Sequence, residues 1–357
     1  MRSIIELVES GAVPDVAIRW AIRRLNAKRL RQQEALHEGD TEAASDAWAR
    51  VMMNSPIAPV PEKANEQHYE VPSEFFRLIL GARMKYSACH WPEGVTTLEQ
   101  AEDAMLALSC ERAQMRDGLR VLDMGCGWGS LTLWLLERYP TCHVVAVSNS
   151  VPQRRFIESE LARRGLASRA DVVTADLNHF EPSGRFDRVM SIEMMEHARN
   201  WAALLSRAAR WLEPDGRMFI HVFSHRVHAH PFEDLGDDDW MGRHFFSGGQ
   251  MPSHGLMTRF QDDFVIEETV RESGMGYART SEAWLERLDA HREEALEVLG
   301  RRYGRAEART WLQRWRIFFM ACAELFGTAD GAEWGVSHYR LRPRVDAQRA
   351  DSRREVA

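Results

Sequence analysis

From residue 118 the sequence alternates short, nearly unbroken apolar runs with stretches of helical periodicity, and few folds accommodate that pattern. "LRVLDMG" precedes "GSLTLWLLERY", "HVVAVS" precedes "PQRRFIESELARRG", and "ADVVTAD" comes next. "FDRVMSI" then precedes "NWAALLSRAARWLEPDG", and "RMFIHVFS" closes the series. Strands that are apolar on both faces need cover on both faces, and a parallel sheet with crossover helices supplies it. The pattern therefore predicts an α/β fold built on a mostly parallel sheet.

Other elements attach to this core. Residues 1–60 form a helical N-terminal extension with a basic face, ending at the Pro-rich connector "NSPIAPVPEKANEQ". A basic amphipathic helix can touch anionic lipid or a partner, or simply pack as a lid on the main domain. The main domain is expected over 61–345, with cap elements at about 225–260 and 281–326, the latter read as two helices (about 281–300 and 305–326). "FVIEETVRESG" and "EWGVSHYRLRP" read as two further strands, and 346–357 as a charged tail.

Bulk properties narrow the function classes. A net charge of −7 argues against binding along a phosphate backbone, so no nucleic-acid partner is expected. The 5 cysteines are widely spaced without a CxxC, which suggests neither a zinc site nor a disulfide framework. The N-terminus carries acids within its apolar part, unlike a signal peptide. No apolar run approaches the ~18 residues that cross a bilayer. Reduced cytosol is the expected compartment, and a homodimer is the assembly considered.

The strongest chemical signal is "VLDMGCGWGS" at 121–130. Gly125, Gly127 and Gly129 fall in a tight turn between a strand and a helix, where glycine permits positive φ and close approach of a ligand. The spacing is GxGxG, not the GxGxxG of pyrophosphate binders, and Asp123 stands two residues before the first glycine. A carboxylate there repels pyrophosphate and suits a ligand bearing a cationic amine. After the second strand, "VVAVSNSVPQ" offers Ser148, Asn149 and Gln153, which can bond to a diol or merely fill the loop. "VVTADLNHF" ends the third with Asp176 and Leu177, which suit an exocyclic amine and the face of an adenine ring, or again loop filling.

The second signal is "IEMMEH" at 192–197, directly after the fourth strand. If the segment is helical, Glu193, Glu196 and His197 share one face. Three readings compete. A metal site would need a further ligand, for which His221, His225, His228 and His230 are candidates. A plain helix start would favour acids through the dipole. A catalytic cluster is favoured by position, because ligands of open α/β sheets bind outside the carboxyl ends of the strands, on the rim that carries Gly125–Gly129.

Further motifs add a resemblance. "HYEVPSEFFRLILGARMKYSACHW", then "GCGWG", then a strand ending in Ser148 with Gln153 beyond it, then the Glu196–His197 pair resemble the cyclopropane fatty acid synthase family over about residues 65–342. "MKYSACHW", "VSNSVPQRRFIE", "FQDD" and "AEWGVSHY" are most similar to its coclaurine N-methyltransferase branch. The resemblance implies a Rossmann-like class I methyltransferase sheet, mostly parallel with an antiparallel last strand, and S-adenosyl-L-methionine as cofactor. It implies that Asp123 holds the amino group of the cofactor, that Tyr86 and Ser87 cover its methionine end, and that Ser148 and Gln153 lie near its ribose.

The two branches differ in chemistry. The synthases methylate lipid alkenes with a bicarbonate held by a glutamate, a histidine and a C-terminal tyrosine, and the position matching that tyrosine here is Phe318. Methylation of a small aromatic or cyclic amine is the expected activity, and cyclopropanation of unsaturated acyl lipids, with membrane contact, is the alternative. In the amine reading no metal is needed: His197 is a general base or relay, Glu196 orients it or binds the substrate ammonium, and Glu193 supports both. The aromatics of "DDDWMGRHFFSGGQMPS" and "WLQRWRIFFM" either receive the substrate cation or pack a core.

Overall fold

The computed structural model describes residues 4–36, 40–59, 71–232 and 240–344. The "HYE" stretch at 68–70, the proposed boundary near 60 and the tail 346–357 lie outside them. Five parallel strands form the centre: β1 (Arg120–Met124), β2 (His143–Ser148), β3 (Ala170–Thr174), β4 (Phe186–Ile192) and β5 (Leu212–His225). Beyond a two-stranded ribbon of β6 (His230–Pro231) and β7 (Gln250–Met251), β8 (Phe264–Ser273) and β9 (Trp334–Pro343) complete the sheet. Its order is β3-β2-β1-β4-β5-β9-β8, and β9 runs antiparallel to both of its neighbours. The last strand is thus the reversed one, as expected.

The unbroken apolar strands are explained by what covers them. Val144 and Ala146 of β2 enter one core while Val145 and Val147 enter the other, so successive side chains are buried on opposite faces. The helices Ser130–Arg138 and Val151–Arg164 cover the first face, and Trp201–Trp211 covers the second. Thr41–Met53 lies against Trp201–Trp211 and contributes Ala49 and Met52 to that core.

The long N-terminal helix Asp15–Leu36 lies on Ala308–Phe326. Its basic face is partly used there: Arg19 pairs with Glu282 and Glu324, while Arg316 reaches back to Asp15. The C-terminal cap differs from expectation. It holds three helices, Met275–Ala290, Arg292–Tyr303 and Ala308–Phe326, with a break at His291, whose φ and ψ of −106° and 30° interrupt the helix. The five cysteines are free and buried. Among the described residues, no helix is long and apolar enough to cross a membrane.

Strand order fixes where a ligand can sit. The chain passes from β1 outward to β2 and β3, then returns to the other side of β1 with β4. The crevice outside the carboxyl ends of β1 and β4 is the switch point of such a sheet. The glycine loop and "IEMMEH" both emerge there.

Candidate active site

The glycine loop forms because its backbone needs conformations that only glycine takes easily. Gly125, Gly127 and Gly129 have φ of 87°, 51° and 79°. A Cβ on Gly125 would stand 2.5 Å from Met194 Cγ, and one on Gly129 would stand 2.7 Å from Ile157 Cγ1, so both are packing glycines as well. Around a Cβ on Gly127 there is nothing within 4 Å. Its backbone faces open space, as a ligand-cradling position must.

A cleft opens over this loop. Gly125, Gly127, Ser148, Asn149, Gln153, Asp176 and Leu177 line it on one side, and Glu193 and His197 on another. Gly129, Asp123, Tyr86, Ser87 and Glu196 do not line it. Asp123 is buried beneath the loop, accepting from Thr132 Oγ1 at 2.6 Å, and burial pushes its carboxyl up to about 6. Tyr86 packs against Phe76 and Trp284, and the Ser87 hydroxyl accepts from the buried Lys85 at 2.6 Å.

The cleft has polar capacity to spare. Ser148 donates to Gln153 Oε1 at 2.6 Å, while Gln153 Nε2 is buried with no partner. An orphaned buried donor lining a cavity costs free energy until a ligand oxygen meets it. At the far end Asp176 is held by Asn178, whose amide in turn brackets Ala58 of the N-terminal extension. Ala58 therefore reaches the cleft wall, as do Ser247, Gly248 and Gly249 of the cap. The open glycine backbone, the orphaned Gln153 amide and the Asp176–Leu177 wall fit a nucleoside-bearing cofactor.

"IEMMEH" is not a helix. Residues 193–199 run as turns, and the helix begins only at Trp201. The shared face expected from helical spacing and the dipole account of the two acids both fall away. Glu193 sits instead at φ 46°, a left-handed conformation uncommon for a non-glycine residue. Its contacts hold it there. Oε1 accepts from the Ala88 N–H at 2.8 Å and from His221 Nε2 at 3.2 Å, and Oε2 accepts from the Tyr277 hydroxyl at 2.7 Å. Strain of this kind persists where surrounding structure over-determines it, typically at functional sites.

Glu196 is also buried, and His197 is half-buried. Glu196 Oε2 has no hydrogen-bond partner, and the Glu196 carbonyl accepts from the Gln250 N–H at 2.9 Å, which fastens the cap over the cluster. His197 stacks on Phe246 with ring centroids 5.4 Å apart and planes 8° from parallel. Burial pushes both carboxyls up, Glu196 well above the ordinary range, with the Glu193 charge adding to its shift. Burial lowers His197 to about 4 against the opposing pull of Glu193, so its imidazole is neutral near pH 7.

Of the histidines considered as metal ligands, His221 joins this cluster. His225 instead accepts the Val227 and His228 N–H groups within its own turn. Among the described residues no set of three or more His, Cys, Asp or Glu side chains is arranged to hold a metal ion. Phe318 is buried and stacks on Phe245 at 4.4 Å. The hydroxyl at the cluster belongs to Tyr277, and it is already bonded to Glu193.

Comparison with known proteins identifies the family. The profile of the mycolic acid cyclopropane synthetase family matches residues 60–332. The chain belongs to that family. It is 36% identical to the (S)-coclaurine N-methyltransferase of Thalictrum flavum subsp. glaucum over 339 residues, 94% of each chain. The crystal structure of a coclaurine N-methyltransferase bound to N-methylheliamine and SAH superposes with a TM-score of 0.91 at 36% identity, covering 95% of this chain and 98% of that one. The cyclopropane-fatty-acyl-phospholipid synthase of Escherichia coli K12 is more distant, 28% identical over 273 residues, which is 76% of this chain and 66% of that one.

Proposed function

We propose that this member of the family transfers the methyl group of S-adenosylmethionine to the nitrogen of a small aromatic or cyclic amine. The observation that carries the reading is the buried cluster at the switch point. Glu193 and the neutral imidazole of His197, stacked on Phe246, stand on the wall of the nucleoside-fitting cleft, with the buried Glu196 carboxyl beside them in the chain.

In this reading the Gly125 and Gly127 backbone, Ser148, Asn149 and Gln153 hold the ribose side of the cofactor, and Asp176 and Leu177 hold the adenine. Asp123 braces the loop from behind through Thr132, and Tyr86 and Ser87 pack outside the cleft lining. When bound, the cofactor supplies a methyl carbon made electrophilic by its sulfonium. The protein has two further tasks. It aligns the nitrogen lone pair with that carbon, which is an effect of proximity. It also disposes of the proton that an amine carries near neutral pH. Neutral His197 accepts the ammonium proton and the Glu193 charge favours the imidazolium that forms, while Glu196, buried with one unpartnered oxygen, is the further proton acceptor. Glu193, fixed by three donors, supplies negative charge opposite the cation. The cap residues 247–250 keep water from the site.

Lipid modification is less well supported by likeness, 28% identity to the synthase against 36% to the N-methyltransferase; Phe318 does not separate the two, because Tyr277 supplies a hydroxyl beside Glu193 and His221. The proposal includes a reducing, cytoplasmic setting, with which five buried free thiols are consistent. The test uses purified protein, methyl-labelled cofactor, a panel of aromatic and cyclic amines, and vesicles of unsaturated phospholipid. Label is expected in an amine; label in extracted lipid with none in any amine would overturn the reading.

A further inference from the structure

Behind Glu193 a line of hydrogen bonds leaves the active site and crosses the sheet. His221 of β5 and His338 of β9 are paired directly opposite one another in the ladder, and both are fully buried. His338 Nε2 stands 2.9 Å from His221 Nδ1, and His221 Nε2 stands 3.2 Å from Glu193 Oε1. At the outer end His338 Nδ1 meets Arg112 Nη1, and Arg112 Nη2 bonds to Glu272 at 2.5 Å. His90 lies 3.8 Å from the other oxygen of Glu272.

The direction of this line follows from the chemistry of its outer end. A guanidinium has only donors. His338 Nδ1 must therefore accept, which puts the His338 hydrogen on Nε2. That hydrogen faces His221 Nδ1, so Nδ1 accepts and the His221 hydrogen is on Nε2. Every donor then points towards Glu193, and the line ends on its carboxylate.

The polarity also says what the line does not do. A hydrogen-bonded chain passes protons along the direction in which its donors point. Carrying the substrate's proton outward would require each imidazole to reverse and Arg112 to accept a proton, which a guanidinium does not do. Nor is either imidazole a resting cation: burial first, and then the neighbouring positive charges of Arg112 and Lys85, hold both well below the usual histidine range. The remaining charged or titratable neighbours of Glu193 are Glu196, His197, Tyr277, Cys89 and Cys322, with Glu102 facing Lys85.

We propose that Arg112 and His338 are positioning residues for the methyl-transfer reaction: they lock His221 as the Nε2–H tautomer, which keeps Glu193 an ionised, correctly aimed carboxylate. The proposal rests on the function argued above. Without Arg112, His338 is free to carry its hydrogen on Nδ1. His221 is then free to present a bare Nε2 to Glu193 Oε1. Two lone pairs facing at that distance repel, so Glu193 turns away or takes a proton.

The test reads tautomers and turnover separately. In full-length protein labelled with ¹⁵N at histidine, long-range ¹H–¹⁵N spectra report which ring nitrogen carries hydrogen, and His221→Gln and His338→Gln variants assign the two residues. Both are expected as Nε2–H in the wild type. In Arg112→Met the His338 signal is expected to move towards Nδ1–H. Turnover of an amine substrate should fall roughly tenfold or more, as for loss of one bond to a charged group, with KM and cofactor affinity near wild type. Arg112→Lys keeps a donor-only cation and should restore tautomer and turnover. Glu272→Gln removes the outer ion pair alone and should leave both unchanged. A wild-type His221 carrying its hydrogen on Nδ1 would overturn the proposal, as would an Arg112→Met protein with unaltered tautomers and turnover, or a Glu272→Gln protein that behaves like Arg112→Met. Absence of any amine substrate contradicts the proposed function instead, and leaves the tautomer result to stand by itself.

Discussion

Replacing Glu193 with glutamine keeps the shape of the side chain and removes its charge. The amide oxygen, set at the Oε1 position, still accepts from Ala88 and His221, and the amide nitrogen donates to Tyr277 once that hydroxyl turns. No contact is lost by geometry. Three bonds to an ionised acceptor, at about 1.5–3 kcal/mol each, become neutral ones at about 0.5–1.5 kcal/mol. Against this, the cost of holding a carboxylate away from water disappears. These terms oppose one another, so stability should change by only about 1–2 kcal/mol, a shift in Tm of a few degrees. Methyl transfer has no such compensation. The ammonium loses its fixed counter-charge, and kcat/KM for the amine should fall by about 10²–10⁴-fold. Glu196 also loses a like charge from its side, so its pKa drops and the acidic limb of the pH–rate profile moves to lower pH. Steady-state kinetics over pH, calorimetric binding of SAH and a thermal melt measure these effects together. Activity within threefold of wild type, or SAH affinity falling by the same factor as activity, would mean that the Glu193 charge has no part in methyl transfer itself.

Three other outcomes follow from the same geometry. His197 titrates near 4 in the fold and near 6.5 when unfolded, so the unfolded chain binds the proton first as pH falls between these values. Wild type should lose up to about 1.4 kcal/mol of stability per pH unit across that window relative to His197→Gln, and nothing above it; equal slopes in urea unfolding would contradict this. Gly125→Ala places a methyl against Met194 at positive φ and should destabilise the fold by more than about 2 kcal/mol, whereas Gly127→Ala meets open space and should mainly weaken SAH binding, as melts and calorimetry will separate. Gln153→Leu removes the orphaned amide and should weaken SAH binding roughly tenfold with little change in Tm; unchanged affinity would remove Gln153 from the ribose side.

The sequence makes the sheet legible because both-faced burial leaves unbroken apolar runs, and all seven strands read from it lie in one sheet. The glycine loop and the rim position of "IEMMEH" were legible for a related reason: the order of strands decides which loops meet. The internal geometry of the site was not. A positive φ at Glu193 has no signature in a glutamate, and it is stabilised by donors from residues 88, 221 and 277, far away in the chain. The pairing of His221 with His338 depends on strand register, which sequence spacing does not state. Ala58 and Gly249 carry no polar side chain, so their place on the cleft wall left no chemical trace. The break at His291 was missed because apolar periodicity continues on both sides of it.

In the proposed function "IEMMEH" handles the amine's proton on a cofactor site that is otherwise complete. The most direct measurement is methyl transfer by His197→Ala to an amine accepted by the wild type, made alongside calorimetric SAH binding on the same protein. The rate should fall by about 10²-fold or more with SAH affinity within about threefold of wild type. An undiminished rate, or a loss of SAH affinity that matches the loss of rate, would contradict it.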